Sequence, residues 1–300
     1  MMPQIVAGKN LNLPIIGPIL RNGGAFFMRR SFGNNKLYSR VFYEHLRKLL
    51  QRGSSIEFFP EGGRSRSGRL LPPRPGIISM LIRAFQDMDE KPVKFVPISM
   101  NYEKVLEGNS YHKEVMGDAK KKESLRSILR VAIDFRGYLG NAYLQIGEPI
   151  DLKEFLDTNF ENWTDNIISE ELDNSPNQKW LYDLTPLLGK QIMKNINKAT
   201  VVTPSALFAS AILNANKFSL SKEKLKARIS LYTNLIKLSD YSEKISIPEY
   251  DSEEIVQKVE KLQLINKLSK SKKIKLNFQQ AAMLSFYKNN ISHLLILDSM

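Results

Sequence analysis

The 300-residue sequence has no cysteine. Disulfides, thiolate zinc sites and a cysteine nucleophile are therefore excluded, and a reducing compartment is compatible with the chain. Histidine is scarce, at three residues. His45 falls within a helical stripe, His112 sits in NSYHKEVMGD without an apolar element to support it, and His293 lies in the helical pattern NNISHLLIL. None belongs to a metal-type cluster. The chain lacks the G-x-S-x-G elbow of serine hydrolases and the Walker A spacing of nucleotide-binding loops. No apolar run approaches the roughly 18 residues of a spanning helix, so no transmembrane segment is expected. The opening MMPQIVAGKNLNLPIIGPIL has no basic region followed by a long apolar run, so no secretory signal is expected. No internal repeat is present.

Arginine is scarce too, but only in one half. Arg228 is the sole arginine after Arg136. Residues 1–150 carry 24 Lys/Arg against 13 Asp/Glu, whereas residues 151–300 carry 20 against 18. Most of the formal charge of +13 thus lies in the first half. Arginine's planar fork suits bidentate phosphate binding, while lysine suits a solvated surface. The first half is built for an anion: nucleic acid, a phosphorylated metabolite or an anionic membrane.

Short β-rich runs alternate with helical stripes up to about residue 150. Residues 24–29 (GAFFMR), 55–59 (SSIEFF with its flanking serine), 93–100 (VKFVPISM) and 142–146 (AYLQI) read as strands. Leu37, Val41, Phe42, Leu46 and Leu49 form a helical stripe, and residues 76–85 (GIISMLIRAF) read as a helix. This alternation argues an α/β layer with functional loops at strand ends. Beyond residue 150 helical stripes dominate, as in Leu225, Ile229, Tyr232 and Ile236. Asp251 with Glu254 forms a capping pair before Ile255, Val259 and Leu262. The KLSKSKKIKL run at 267–276 reads as a solvated loop or turn. The expected organisation is an αβ-layer domain over 1–150 followed by a mainly α-helical region over 151–300.

The stretch FFPEGGRSRSGRL, residues 58–70, is the densest chemical signal. Gly62 and Gly63 can adopt backbone angles closed to other residues and present N–H groups to an oxyanion. Arg64, Arg66 and Arg69 supply charge, and Ser65 and Ser67 supply short donors. A solvated basic loop would need no carboxylate. Glu61 fits a clamp in which it orients an arginine or accepts a bond from a substrate hydroxyl. Arg29 and Arg30 end another apolar strand, and two such ends in one α/β layer point to one crevice.

GAFFMRR at 24–30, FFPEGGRSRSG at 58–68 and VPISMNYE at 96–103 resemble the second, third and fourth blocks of the glycerol-3-phosphate acyltransferases, most of all the bacterial membrane-associated type. The resemblance continues through GKNLNLPIIGPILRNGGAFFMRRSF, NKLYSRVF, GRLLPPRPGIISM and YKNNISHLLIL, in order, over most of the chain. It implies that Arg30 binds glycerol phosphate, that Glu61, Gly62 and Arg64 line the same site with Ser65 and Arg66 beside them, and that Pro97 belongs to the acyl-donor side or the shape of the site. The family's first block, His-x-x-x-x-Asp, supplies the base that deprotonates the acceptor hydroxyl. The expectation is that this chain lacks that block, begins just downstream of it, stops short of the family's C-terminus and has no acyl transfer of its own. The implied reaction is acylation of sn-glycerol 3-phosphate at its 1-hydroxyl, from acyl-CoA or acyl-carrier protein, as the first step of phospholipid synthesis. Related readings are an acyltransferase on dihydroxyacetone phosphate and a non-catalytic phosphate-binding protein. No metal or redox cofactor is implied. The expected partners are glycerol 3-phosphate, the acyl donor and an anionic membrane surface, with peripheral placement on the cytoplasmic face. No nucleic-acid partner is expected, because an aromatic-interleaved basic groove is not evident.

Overall fold

The structure, a computed structural model, describes residues 2–29, 31–32, 35–88, 91–105, 138–160, 163, 179–265 and 273–296. It divides into two compact units, each drawing on both halves of the sequence. The first comprises Met1–Gly63, Pro72–Val96 and Pro149–Lys194; the second comprises Arg64–Leu71, Pro97–Glu148 and Asn195–Met300.

The first unit is built on a three-stranded parallel sheet. Strand β1 (Gln4–Gly8) lies between β2 (Ala25–Met28) and β3 (Ile56–Glu57), with α1 (Ile16–Asn22) linking the first two. Ile5 pairs with Ala25 on one side and Glu57 on the other. Helix α2 (Lys36–Gln51) buries Phe42 and Leu46 with Val6 of β1, and Phe26, Met28, Ile56 and Phe58 pack around them. Apolar residues spaced three and four apart give α2 this one buried face. Asn35 starts the helix, its Oδ1 accepting the Tyr38 N–H at 2.8 Å. Helix α3 (Pro75–Gln86) begins with proline at its first position, where no N–H partner is needed, and buries Ile78, Leu81, Ile82 and Phe85.

The segment 93–100, expected as one strand, is two. Strand β4 (Lys94–Phe95) pairs antiparallel with β7 (Ile150–Asp151), whereas β5 (Ile98–Tyr102) pairs antiparallel with β6 (Ala142–Ile146). Pro97 stands at the break: it has no N–H to donate to a ladder, and its carbonyl accepts the Gly147 N–H at 2.8 Å. Asp151 then caps α4 (Leu152–Asn159) by accepting the N–H groups of Lys153 and Glu154.

The second unit has a helical core. Every residue from Pro204 to Ile212 of α6 (Pro204–Leu213) is buried, as befits a helix without a polar face. It follows α5 (Lys179–Lys198) and is packed by α7 (Lys222–Lys237), α8 (Ser252–Lys261) and α9 (Phe278–Asn290). The expected Asp251–Glu254 capping box is present at the start of α8. The 267–276 run is not wholly loop. Residues 266–272 lie outside the described residues, but Lys273–Lys275 forms strand β9, antiparallel to β8 (Ser219–Ser221). Ile274 is buried between two exposed lysines, the period-two pattern of a strand with one covered face. No described helix is long and apolar enough to cross a membrane.

Candidate functional site

Because β1, β2 and β3 run parallel, their carboxyl ends meet at one edge of the first unit's sheet. Ligands of open α/β sheets bind at such an edge. Lys9 follows β1, Arg29 follows β2 and the Phe58–Gly62 turn follows β3. Arg29 is held there by Tyr38 of α2. Its N–H donates to the Tyr38 hydroxyl at 3.1 Å, and its guanidinium lies over the Tyr38 ring at 4.6 Å. Arg30 lies outside the described residues. Lys9 is exposed at the same edge, and the sequence reading missed it together with β1. The signal was present as IVAG followed by KN, an apolar run ending in glycine and a cation.

The turn after β3 is defined by short bonds. Phe58 meets Phe95 edge-on at 6.3 Å between ring centres. The Gly62 N–H donates to the Phe59 carbonyl at 3.0 Å, closing a four-residue turn with Pro60 in second place. The Pro60 carbonyl accepts the Arg74 N–H at 2.7 Å, which straps the turn to the residue that starts α3. Gly62 has φ +61°, and a Cβ there would stand 2.9 Å from Arg74 Cγ. The Gly62 N–H, expected to face an oxyanion, is thus engaged inside the turn. Glu61 is half-buried beside it.

Arg64, Ser65 and Arg66 belong to the second unit, as does Pro97, whereas Glu61 and Gly62 belong to the first. Within its unit the Arg64–Leu71 loop is pinned at its middle. Ser65 Oγ accepts the Gly68 N–H at 3.1 Å, and Asn289 of α9 donates its Nδ2 to the Ser67 carbonyl at 2.7 Å. Gly68 has φ +82°, and a Cβ there would meet the Phe286 carbonyl oxygen at 2.0 Å. Arg64, Arg66 and Arg69 are exposed around this anchored centre.

Pro97 opens β5, and the sheet it begins has an inverted polarity. Ile98, Met100 and Tyr102 are exposed on one face, directly opposite exposed Ile146, Leu144 and Ala142. The other face is polar and bonded inward. Asn101 Oδ1 accepts the Ser99 hydroxyl at 3.0 Å and the Val201 N–H at 3.1 Å. Tyr143 donates to Glu103 Oε1 at 2.7 Å, and burial, with that bond, pushes the phenol up to about 12.

Two histidines are placed. His45 packs edge-on to Phe26 with ring centres 4.8 Å apart, as a helix-face residue. His293 is mostly buried in a short 3-10 turn, 5.4 Å from the Tyr241 ring, with Nε2 3.3 Å from Thr200 Oγ1. Burial holds its imidazole below the ordinary histidine value, against a hydrogen bond to the Asn197 backbone. One expectation needs correcting. A His-x-x-x-x-Asp spacing does occur, once, at His293 and Asp298. It follows the other blocks instead of preceding them, its histidine is packed among Tyr241 and Thr200, and Asp298 and His112 lie outside the described residues. Among the described residues no group of acidic, histidine or cysteine side chains could hold a metal ion.

Residues 2–101, which hold the parallel sheet and the Pro-Glu-Gly-Gly turn at its carboxyl edge, match the family described as Acyltransferase. Residues 111–300 match the family described as glycerol-3-phosphate acyltransferase C-terminal region, and the chain belongs to that family. It is 38% identical over 300 residues to the glycerol-3-phosphate acyltransferase of Pseudomonas fluorescens (strain SBW25), covering 99% of this chain and 35% of that protein. The protein of the same name from Haemophilus ducreyi (strain 35000HP / ATCC 700724) is 38% identical over 306 residues, covering 99% and 36%. The chain therefore spans about a third of the length of these relatives.

Proposed function

We propose that this chain forms the phosphate-binding part of an enzyme that acylates sn-glycerol 3-phosphate at its 1-hydroxyl, using acyl-CoA or acyl-carrier protein as donor. In this reading Arg30 binds the phosphate, with Glu61, Gly62, Arg64, Ser65 and Arg66 lining the acceptor site and Pro97 on the donor side. The acceptor oxygen attacks the thioester carbonyl, a C–O bond forms, the C–S bond breaks, and the acceptor proton passes through a general base to the departing thiol. None of His45, His112 or His293 is assigned as that base. The product is an anionic amphiphile, so the enzyme works at a membrane surface, peripherally and on the cytoplasmic face. No metal or redox cofactor enters the reaction.

One observation carries the reading: three parallel strands bring Lys9, Arg29 and the Phe58–Gly62 turn to a single sheet edge. Calorimetric titration of the 300-residue chain with glycerol 3-phosphate tests it. Binding is expected, competed by dihydroxyacetone phosphate and inorganic phosphate, and weakened at least about tenfold in Arg30→Ala and in Arg64→Ala/Arg66→Ala, since each removes a charge-assisted bond. Acyl transfer by this chain alone is expected to stay at background. Absence of binding, or equal binding by the variants, would overturn the site. Clear turnover would return His293 to consideration.

A further inference from the structure

The Arg64–Leu71 loop is shaped by its own residues but placed by α9. Ser65 Oγ accepts the Gly68 N–H at 3.1 Å, and Ser67 Oγ accepts the Arg69 N–H at 3.4 Å. These bonds span two or three residues, so they bend the loop without fixing where it lies in the second unit. The Asn289 amide does that, reaching across 222 positions of sequence to the Ser67 carbonyl at 2.7 Å. Phe286, Asn289 and Asn290, spaced three and four apart, share one side of the helix's last turn. A Cβ at Gly68 would collide with the Phe286 carbonyl oxygen and stand 3.1 Å from Asn290 Oδ1. Only glycine therefore lets the loop backbone lie against that side.

The helix is a firm support. An Asn277–Gln280 capping box starts it. Ala281, Leu284 and Tyr287 are buried along a neighbouring side, and Ile291 continues that row beyond the helix end. Tyr287 has no exposed surface and also accepts the Val105 N–H at 3.0 Å, just past β5. Arg66 adjoins Ser67 and Arg64 lies three residues before it, so a carbonyl held by Asn289 restricts the backbone from which both guanidinium groups reach. A loop ordered in advance loses less freedom when it closes on an anion. We propose that Asn289 is a positioning residue for the acceptor phosphate: through the Ser67 carbonyl, α9 sets where Arg64, Ser65 and Arg66 stand before the acceptor arrives. The inference rests on the proposed reading that this loop lines the glycerol 3-phosphate site. The helical region thereby contributes to affinity without touching the substrate through Asn289.

Calorimetric titration of the 300-residue chain with glycerol 3-phosphate tests this. Asn289→Ala should weaken binding about fivefold, the worth of one net hydrogen bond, with circular dichroism unchanged. Asn289→Leu, which keeps the bulk and removes the donor, should behave alike. In the Arg64→Ala/Arg66→Ala chain, Asn289→Ala should cost under about twofold, because little remains to be positioned, whereas a general structural loss would carry over undiminished. Tyr287→Phe removes the acceptor of the Val105 N–H and leaves the loop contact alone, so it should bind as the parent chain does even if it melts earlier. Without ligand, trypsin should cut after Arg66 and Arg69 faster in Asn289→Ala than in the parent. Equal binding by Asn289→Ala, an undiminished loss in the doubly substituted chain, equal weakening by Tyr287→Phe, or equal trypsin rates would each overturn the proposal. Binding by the parent with no effect of Asn289→Ala would strike this inference alone. Failure of the parent chain to bind would strike the functional reading, and the positioning role with it.

Discussion

Lys258 Nζ stands 2.8 Å from Glu103 Oε1, a carboxylate with no exposed surface at the end of β5. All of the glutamate's polar groups are engaged. Oε1 also accepts the Tyr143 hydroxyl and Oε2 accepts the Asn141 N–H, while the Glu103 carbonyl takes the Ser205 hydroxyl. Burial works against the Lys258 charge, but the bonds to Glu103 and Tyr250 outweigh it and raise the ammonium above the ordinary lysine value. Lys258→Met would leave Glu103 charged, buried and short of its counter-ion. We expect a loss of about 3–5 kcal/mol in urea unfolding, with much of it recovered in Glu103→Gln/Lys258→Met. A loss under about 1 kcal/mol for the single variant would refute this account.

Gly68→Ala should be costly and Gly63→Ala nearly neutral, although both lie in the same glycine-rich stretch. Gly68 combines φ +82° with a Cβ position 2.0 Å from the Phe286 carbonyl oxygen, whereas no heavy atom lies within 4 Å of the corresponding point at Gly63. A left-handed backbone at a non-glycine residue costs about 1–3 kcal/mol, and the clash adds to it. Thermal midpoints of the two variants should separate clearly.

Thr203 caps the buried helix α6 by accepting the Ala206 N–H at 3.2 Å while only 1% exposed. Thr203→Val keeps the shape and removes the acceptor. The Ala206 N–H keeps its bond to the Thr203 carbonyl at 3.0 Å, so a loss of about 0.5–1 kcal/mol, that of the side-chain cap alone, is expected from chemical denaturation.

The lowered His293 value sets a pH dependence. The folded state binds a proton on this ring less readily than the unfolded chain does. Its contribution to stability is therefore fully present above the unfolded value of about 6.5 and is lost as pH falls from there through the lower folded value. Unfolding midpoints measured from pH 7.5 down to 5 should fall less steeply in His293→Gln than in the parent chain. Identical slopes would show that the ring accepts a proton without penalty.

Lys9→Ala should weaken glycerol 3-phosphate binding severalfold without lowering the thermal midpoint, since the side chain is exposed at the sheet's carboxyl edge. Titration at two salt concentrations should show a smaller salt dependence for the variant, as expected when one cation fewer faces the phosphate.

Helix signals were legible where local spacing alone specified a buried face: α3, α7 and the capping box of α8 stand where the periodicity places them, and α2 does so through Phe42, Leu46 and Leu49, whereas Leu37 and Val41 of its expected stripe are exposed. Strands were harder. Strand β1 offers only five residues, and its meaning comes from β2 and β3, which lie some 20 and 50 positions away. Ile274 gained a strand partner in Leu220 across more than fifty residues, which no local window contains. In the candidate site, residue types were legible and their bonds were not: the Gly62 N–H bonds to Phe59 and Ser65 accepts from Gly68.

The sequence by itself determined the α/β alternation, the family blocks and the concentration of arginine in the first half, because period, spacing and composition are local properties. Only the tertiary structure decided that Pro97 divides one apolar run between two sheets, that Glu103 meets Lys258, and that Asn289 meets the Ser67 carbonyl. Each of these depends on which distant groups satisfy a backbone or a charge removed from water, and that is settled only when the chain packs.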